Sequence, residues 1–246
     1  MFATKALPAR LVTALVAGLS LPAHALAAGC ATDAMLVFDG SGSMIEYGFD
    51  YRQVTRIKEA RQAVATALPQ VEDFRRIGLL IYGPNTGDSC AGLDLRFAPR
   101  PQAAQPIISA VNDLNPGGLT PLAASVDVAA QALDHRREPG IIVVVTDGNE
   151  TCGGLPCATA DRLAAEGRDL TIHVIGFRAI VDFWTWDNPE QEAHTGKGSV
   201  ARCLADRTGG LYVSADTVDT LIEALQVTLG CPLYGDTTSP ATRRRG

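Results

Sequence analysis

The chain has 246 residues, 46% of them hydrophobic, and its 27 acidic and 21 basic side chains give a formal net charge of −6. That length supports one sizeable core and argues against a second. The acidic balance argues against nucleic acid as a partner.

Residues 1–28 read as a secretory signal peptide. Lys5 and Arg10 form a positive start, LVTALVAGLSL an apolar middle, and AHALAA offers small-residue cleavage sites after Ala25 or Ala27. The apolar part is too short to span a bilayer. Removing its two positive charges leaves −8. No second long apolar run follows, so the mature chain is expected to be soluble, without an integral membrane segment, and exported to the periplasm or secreted.

AMLVF (34–38) has the wholly apolar character of a central strand buried on both faces. The stretch 51–68 places Val54, Ile57, Ala60, Val64 and Leu68 on one helical face. RIGLLIY (76–82) predicts a second buried strand, and LDLRF (93–97) alternates like an edge strand. QAAQPIISAVNDL predicts a short helix interrupted by Pro106. A helix over 121–133 follows, with Leu122, Val126, Ala129 and Leu133 inward. IIVVVTDG (141–148) is the most hydrophobic strand and, like the first, runs into an aspartate.

Next come a helix over 157–166 stopped by Gly167, a strand LTIHVIGF (170–177), and a helix over 199–208 ended by Gly209-Gly210. The strand LYVS and a helix carrying Val218, Leu221, Ile222, Leu225 and Leu229 complete the pattern. Residues 233–246 end in three arginines on a Pro/Ser/Thr-rich tail that reads as disordered. Strands alternating with helices imply a largely parallel sheet covered on both faces, an α/β doubly wound fold.

Six cysteines, at 30, 90, 152, 157, 203 and 231, fit an exported chain with disulfides. Spacing alone cannot choose among the 15 connectivities. Zinc is disfavoured, because CGGLPC has no second close pair and no His-x3–5-His beside it. LAAGC is a weak lipoprotein-like box, and lipidating Cys30 would leave an odd number of thiols.

The stretch LVFDGSGSM (36–44) raises the functional question. Asp39, Ser41 and Ser43 place three oxygen-bearing side chains at alternate positions, separated only by glycines, at the carboxyl end of a buried strand. Asp147 ends another strand, and Thr120 precedes Pro121 and a helix. Each has an ordinary explanation: Asp-Gly turns, a local serine cap, or a threonine N-cap with proline at the first helical position. Together they would converge on one crevice, because ligands bind at the carboxyl edge of open α/β sheets. Three hydroxyls with two carboxylates suit a hard divalent ion, Mg²⁺ above all, with Mn²⁺ and Ca²⁺ as alternatives.

DGSGS, LTPL and TDGNE resemble the metal-ion-dependent adhesion site of the von Willebrand factor A domain family, an Asp-x-Ser-x-Ser sequence completed by a distant Thr and a distant Asp. The likeness covers the stretch 31–232, and TCGG-PC after the last acid is similar to secreted bacterial members. It implies a Rossmann-like, six-stranded sheet with one antiparallel edge strand between two helical layers. It also implies a role for each residue: Ser41, Ser43 and Thr120 as direct ligands, with Asp39 and Asp147 acting through water. The implied activity is metal-dependent capture of an exposed Asp or Glu on a protein partner, not catalysis. The alternatives are a Mg²⁺-dependent hydrolase using the same ion and a structural module with a vacant site.

No Gly-x-Ser-x-Gly elbow is present, and position 41 is serine where an aspartyl-phosphate enzyme needs a second acid. HTGKGS lacks the first glycine of a phosphate loop, since Gln191 stands there. The connection 178–198 departs from the family by its length. Its Trp184 and Trp186 are expected as an apolar rim beside the metal, or else as a small satellite cluster. In the implied fold the termini lie close, which predicts Cys30–Cys231. Cys152–Cys157 with Cys90–Cys203 is the first choice for the rest, and Cys157–Cys203 is its rival because the two helices should be neighbours.

Overall fold

The computed structural model of the protein describes residues 31–47, 54–84, 89–179, 188–190 and 199–231. The expected signal, Cys30, Trp184, Trp186 and the basic tail lie outside these residues. Six strands form one sheet: β1 (Ala34–Asp39), β2 (Ile77–Tyr82), β3 (Leu93–Arg100), β4 (Gly140–Thr146), β5 (Leu170–Phe177) and β6 (Tyr212–Ala215). Their order is β3-β2-β1-β4-β5-β6; β3 runs antiparallel to β2, and the other pairings are parallel. This is the architecture the alternation of strands and helices predicts.

The α-helices described along their full length are α1 (Arg56–Ala67), α2 (Ala104–Asn112), α3 (Leu122–Ala132), α4 (Pro156–Glu166), α5 (Arg202–Thr208) and α6 (Val218–Leu229). All six residues of β1 are buried, and alternate side chains serve opposite layers. Leu36 and Phe38 share one core with Val64 of α1, Ile107 of α2 and Leu225 of α6. Met35 and Val37 share the other with Val126 of α3, Leu163 of α4 and Leu204 of α5. Burying a side chain such as Phe38 contributes about 1.5–3 kcal/mol, so the central strand is firmly held where it delivers Asp39.

Local signals behave as chemistry requires, with one correction. Pro106 does not interrupt α2, which runs unbroken from Ala104 to Asn112. It sits in the first turn, where an amide has no intrahelical acceptor to lose. Gly209 ends α5 at φ 71°, and a Thr217–Thr220 capping box starts α6.

Two disulfides join described residues, Cys90–Cys152 and Cys157–Cys203, with Cα–Cα distances of 5.6 and 4.9 Å. The first-choice pairings Cys152–Cys157 and Cys90–Cys203 are therefore incorrect, and the rival Cys157–Cys203 is the one formed. Cys157 belongs to the first turn of α4, which packs beside α5 and its Cys203. Cys90 lies between β2 and β3 and Cys152 follows β4, so their bridge links connections on either side of β1. Cys231 is disulfide-bonded as well; its expected partner, Cys30, is outside the described residues. Disulfides persist in oxidising compartments, which points to an extracytoplasmic location. No helix among the described residues is long and apolar enough to cross a membrane.

Candidate metal centre

The site grows from the register of β1 and β4. These neighbours run parallel, with Phe38 beside Val145, so Asp39 and the pair Thr146–Asp147 leave the sheet at the same edge. Strand order reverses between β1 and β4, the place where open α/β sheets bind their ligands.

Asp39 is buried and accepts three hydrogen bonds. Its Oδ1 accepts from Ser41 N at 2.8 Å, and its Oδ2 accepts from Thr146 Oγ1 at 2.9 Å and Asp147 N at 3.3 Å. The Tyr82 hydroxyl donates to Thr146 Oγ1 at 2.9 Å. Burial, then the charge of Asp39, raises the Tyr82 phenol well above its ordinary pKa, so it stays a donor. Neither Tyr82 nor Thr146 stands out in the sequence, because each merely ends an apolar run.

After Ser41 the chain turns into a 3-10 helix, Gly42–Ile45, whose Met44 is fully buried beneath it. Held by that anchor, the Ser41 and Ser43 hydroxyls lie 3.0 Å apart, and Ser43 Oγ donates to Asp147 Oδ1 at 2.7 Å. Close packing dictates two glycines here. A Cβ on Gly40 would stand 2.8 Å from Tyr82 O, and one on Gly83, whose φ is +82°, would stand 2.8 Å from Ser41 N and Cα.

Thr120 sits on the connection before α3. That connection lies against the serine loop through Gly42 N to Gly118 O at 3.1 Å and Gly117 N to Gly40 O at 2.8 Å. The backbone of Thr120 is clamped by Thr151: Thr120 N donates to Thr151 Oγ1 at 2.8 Å, and Thr151 N donates to Thr120 O at 3.1 Å. Thr120 is not the cap of α3, whose capping position is Pro121 without a side-chain bond. Glu150 supplies that service instead, accepting from Ala123 N at 2.9 Å and from Cys152 N at 2.7 Å. Asp39, Ser41, Ser43 and Asp147 are thus joined by hydrogen bonds, and Thr120 lies on the adjoining connection.

Sequence reasoning missed Arg56. This first residue of α1 is 2% exposed. Its Nη1 donates to Ser43 O at 3.0 Å, to Asp147 Oδ2 at 3.0 Å and to Glu46 Oε2 at 3.2 Å. The signal was present: Arg56 and Glu59 fall in the same helical stripe as the buried Ala60, Ala63, Val64 and Ala67. A charge within an apolar stripe needs a buried partner. Glu59 finds one in Arg178, 2.9 Å away at the start of the connection that carries Trp184 and Trp186. Those two tryptophans are themselves outside the described residues. On the described rim, Ile45 and Tyr47 are exposed just beyond the serine loop.

The donor set fits a hard cation. Asp39 and Asp147 place two carboxylates at one buried spot. Burial first, then the Asp39 charge, pushes the Asp147 carboxyl up to about 7, against the opposing pull of Ser43 and Arg56. A divalent cation would relieve that like-charge burden, and hydroxyl and carboxylate oxygens are the donors such ions prefer. Among the described residues no group of three His, Cys, Asp or Glu is placed to hold a metal. Here three of the five candidate ligands are hydroxyls.

A doubly wound sheet with hydroxyl and carboxylate oxygens gathered at its switch point is a Rossmann-like fold. Residues 34–150, which contain Asp39, Ser41, Ser43, Thr120 and Asp147, match the von Willebrand factor type A domain. The uncharacterized protein YwmD of Bacillus subtilis (strain 168) is 25% identical over 229 residues, covering 89% of this chain and 95% of its own length. The von Willebrand factor type A structure from Catenulispora acidiphila superposes with a TM-score of 0.57 at 17% identity, over 81% of this chain and 42% of that one. Proximal thread matrix protein 1 from the mussel byssus, with zinc occupying its MIDAS motif, superposes with a TM-score of 0.53 at 15% identity, over 81% of this chain and 46% of that one.

Proposed function

We propose that the protein is an exported, metal-dependent protein-binding module that serves adhesion or assembly and is not an enzyme. The observation that carries this reading is the hydrogen-bonded cluster of Asp39, Ser41, Ser43 and Asp147 at the switch point. Ser41, Ser43 and Thr120 would hold the ion directly, with Asp39 and Asp147 behind them. Mg²⁺ is the proposed ion; the zinc-occupied motif of the byssus protein supports a metal at this position in the fold. When bound, the ion supplies positive charge and a coordination position open to a carboxylate.

The chain's own residues do the rest. Tyr82 and Thr146 fix Asp39, the buried Met44 fixes the serine turn, and Thr151 and Glu150 fix the connection bearing Thr120. The exposed Ile45 and Tyr47 offer apolar area next to the site, and Trp184 and Trp186 remain proposed rim residues. The partner is a protein presenting an exposed Asp or Glu.

The test is thermal unfolding with Mg²⁺ and with chelator, for the wild type, Asp39→Ala, and Ser41→Ala combined with Ser43→Ala. A ligand that binds only the native state at 100 times its Kd stabilises by about 2.7 kcal/mol. The wild type is expected to gain on that scale, and the variants to keep the fold and lose the gain. A wild-type transition indifferent to Mg²⁺, Mn²⁺ and chelator would remove the basis of the reading. A pull-down from exported proteins, with Mg²⁺ and again with chelator, then identifies the partner.

A further inference from the structure

We propose that Arg56 is a built-in counter-cation of the metal centre. It weakens the hold of the site on a divalent ion. This inference rests on the metal reading above.

Two observations lead to it. Arg56 is 2% exposed, yet its charge is directed at the site: one nitrogen, Nη1, bonds Ser43 O, Asp147 Oδ2 and Glu46 Oε2 at 3.0, 3.0 and 3.2 Å. Its buried Nε has no hydrogen-bond partner among the described residues. A guanidinium kept only for structural bridging would be expected to use its whole donor fork. Here one donor is buried unpaired while another is shared three ways at the site.

Both oxygens of Asp147 are engaged, Oδ1 by Ser43 and Oδ2 by Arg56. A cation drawing on Asp147 therefore meets a carboxylate whose charge is already offset. Two carboxylates balance a divalent ion; with Arg56 added, the loaded centre keeps one net positive charge, set against Glu46 at the surface. That remainder opposes the ion and favours an anionic group from a partner.

The sign follows from comparing two effects. Arg56 organises Ser43 and Asp147, which helps binding, and it repels the ion, which hinders it. The organising contribution is largely duplicated, because Ser43 is also held by Asp147 and by the buried Met44 turn. The repulsion has no substitute and acts at a buried site, where screening is weak. Removing the charge is therefore expected to tighten ion binding. Glu46, whose side chain is 64% exposed, pulls the other way through Arg56. Removing its charge is expected to weaken ion binding.

The experiment titrates Mg²⁺ into the wild type, Arg56→Gln, Arg56→Lys and Glu46→Gln, reading Kd by calorimetry and by thermal shift. Arg56→Gln is expected to bind at least about tenfold more tightly, which corresponds to about 1.4 kcal/mol. Arg56→Lys keeps the charge and is expected to stay near the wild type. Glu46→Gln is expected to bind roughly threefold more weakly, since surface charges are partly screened. If Arg56→Gln binds equally or less tightly while the wild type binds Mg²⁺, the counter-cation proposal is overturned and the metal reading stands. If Arg56→Gln does not fold in chelator, Glu46→Gln decides, and an unchanged Kd overturns the proposal. If neither the wild type nor any variant binds Mg²⁺ or Mn²⁺, the metal reading fails and the proposal falls with it.

Discussion

Replacing Thr146 by valine keeps the shape of the side chain and removes one hydroxyl from the relay Tyr82–Thr146–Asp39. Tyr82, Thr146 and Asp39 are 0, 2 and 0% exposed, so water cannot replace the lost partner. The Tyr82 hydroxyl loses Thr146 Oγ1 as an acceptor and Asp39 Oδ2 loses its 2.9 Å donor. Leaving a buried polar group unpartnered costs about 1–3 kcal/mol, so a loss of about 2 kcal/mol is expected. Tyr82→Phe leaves the bond from Thr146 to Asp39 intact and is expected to cost about 1 kcal/mol. In the double variant no hydroxyl is stranded, so the total is expected to stay near 2 kcal/mol, a coupling of about 1 kcal/mol. Urea unfolding with chelator present measures all four proteins without a contribution from metal, and equal m-values are required for the comparison. Losses that simply add would show that the two hydroxyls are not energetically linked, and the relay would not be what holds Asp39.

Two further outcomes follow. Replacing Cys157 and Cys203 by alanine opens a link with a sequence separation of 46, worth about 4 kcal/mol in the chain-entropy model; a clearly lower melting temperature and the loss of that pair from non-reducing peptide maps are expected. Burial first, and Arg75 second, lower the pKa of His173 below 6.5, and its Nδ1 accepts from Leu211 N at 3.0 Å. A depressed histidine contributes stability that is fully present above the unfolded pKa and is lost as pH falls from 6.5 through the folded value. His173→Gln is therefore expected to flatten the decline in melting temperature between about pH 7 and pH 5, and an identical decline in both proteins would contradict it.

The parts of the molecule legible in the sequence are those governed by short-range rules. The apolar runs 34–38 and 141–145 are central strands because a strand covered on both faces has no polar alternation. Asp39 and Asp147 meet because neighbouring parallel strands end at one edge. Arg56 was hidden because its meaning depends on what lies opposite the first turn of α1, a fact about tertiary packing. The pairing of Cys90 with Cys152 was hidden because it depends on the path of two connections past β1. Pro106 misled because a proline's effect depends on its distance from the helix start, and helix boundaries are the least certain part of a pattern reading.

The two margins of the sheet have a consequence for assembly. β3 carries Asp94, Arg96 and Arg100, with a buried Pro99 between the last two, and its register against β2 is broken by irregularities between Ile77 and Leu80. β6, at the opposite margin, is only four residues long. Charges, proline, bulges and shortness are the devices that stop one chain from extending its sheet into another. Both margins of the sheet therefore disfavour its extension into a second copy by a shared backbone ladder.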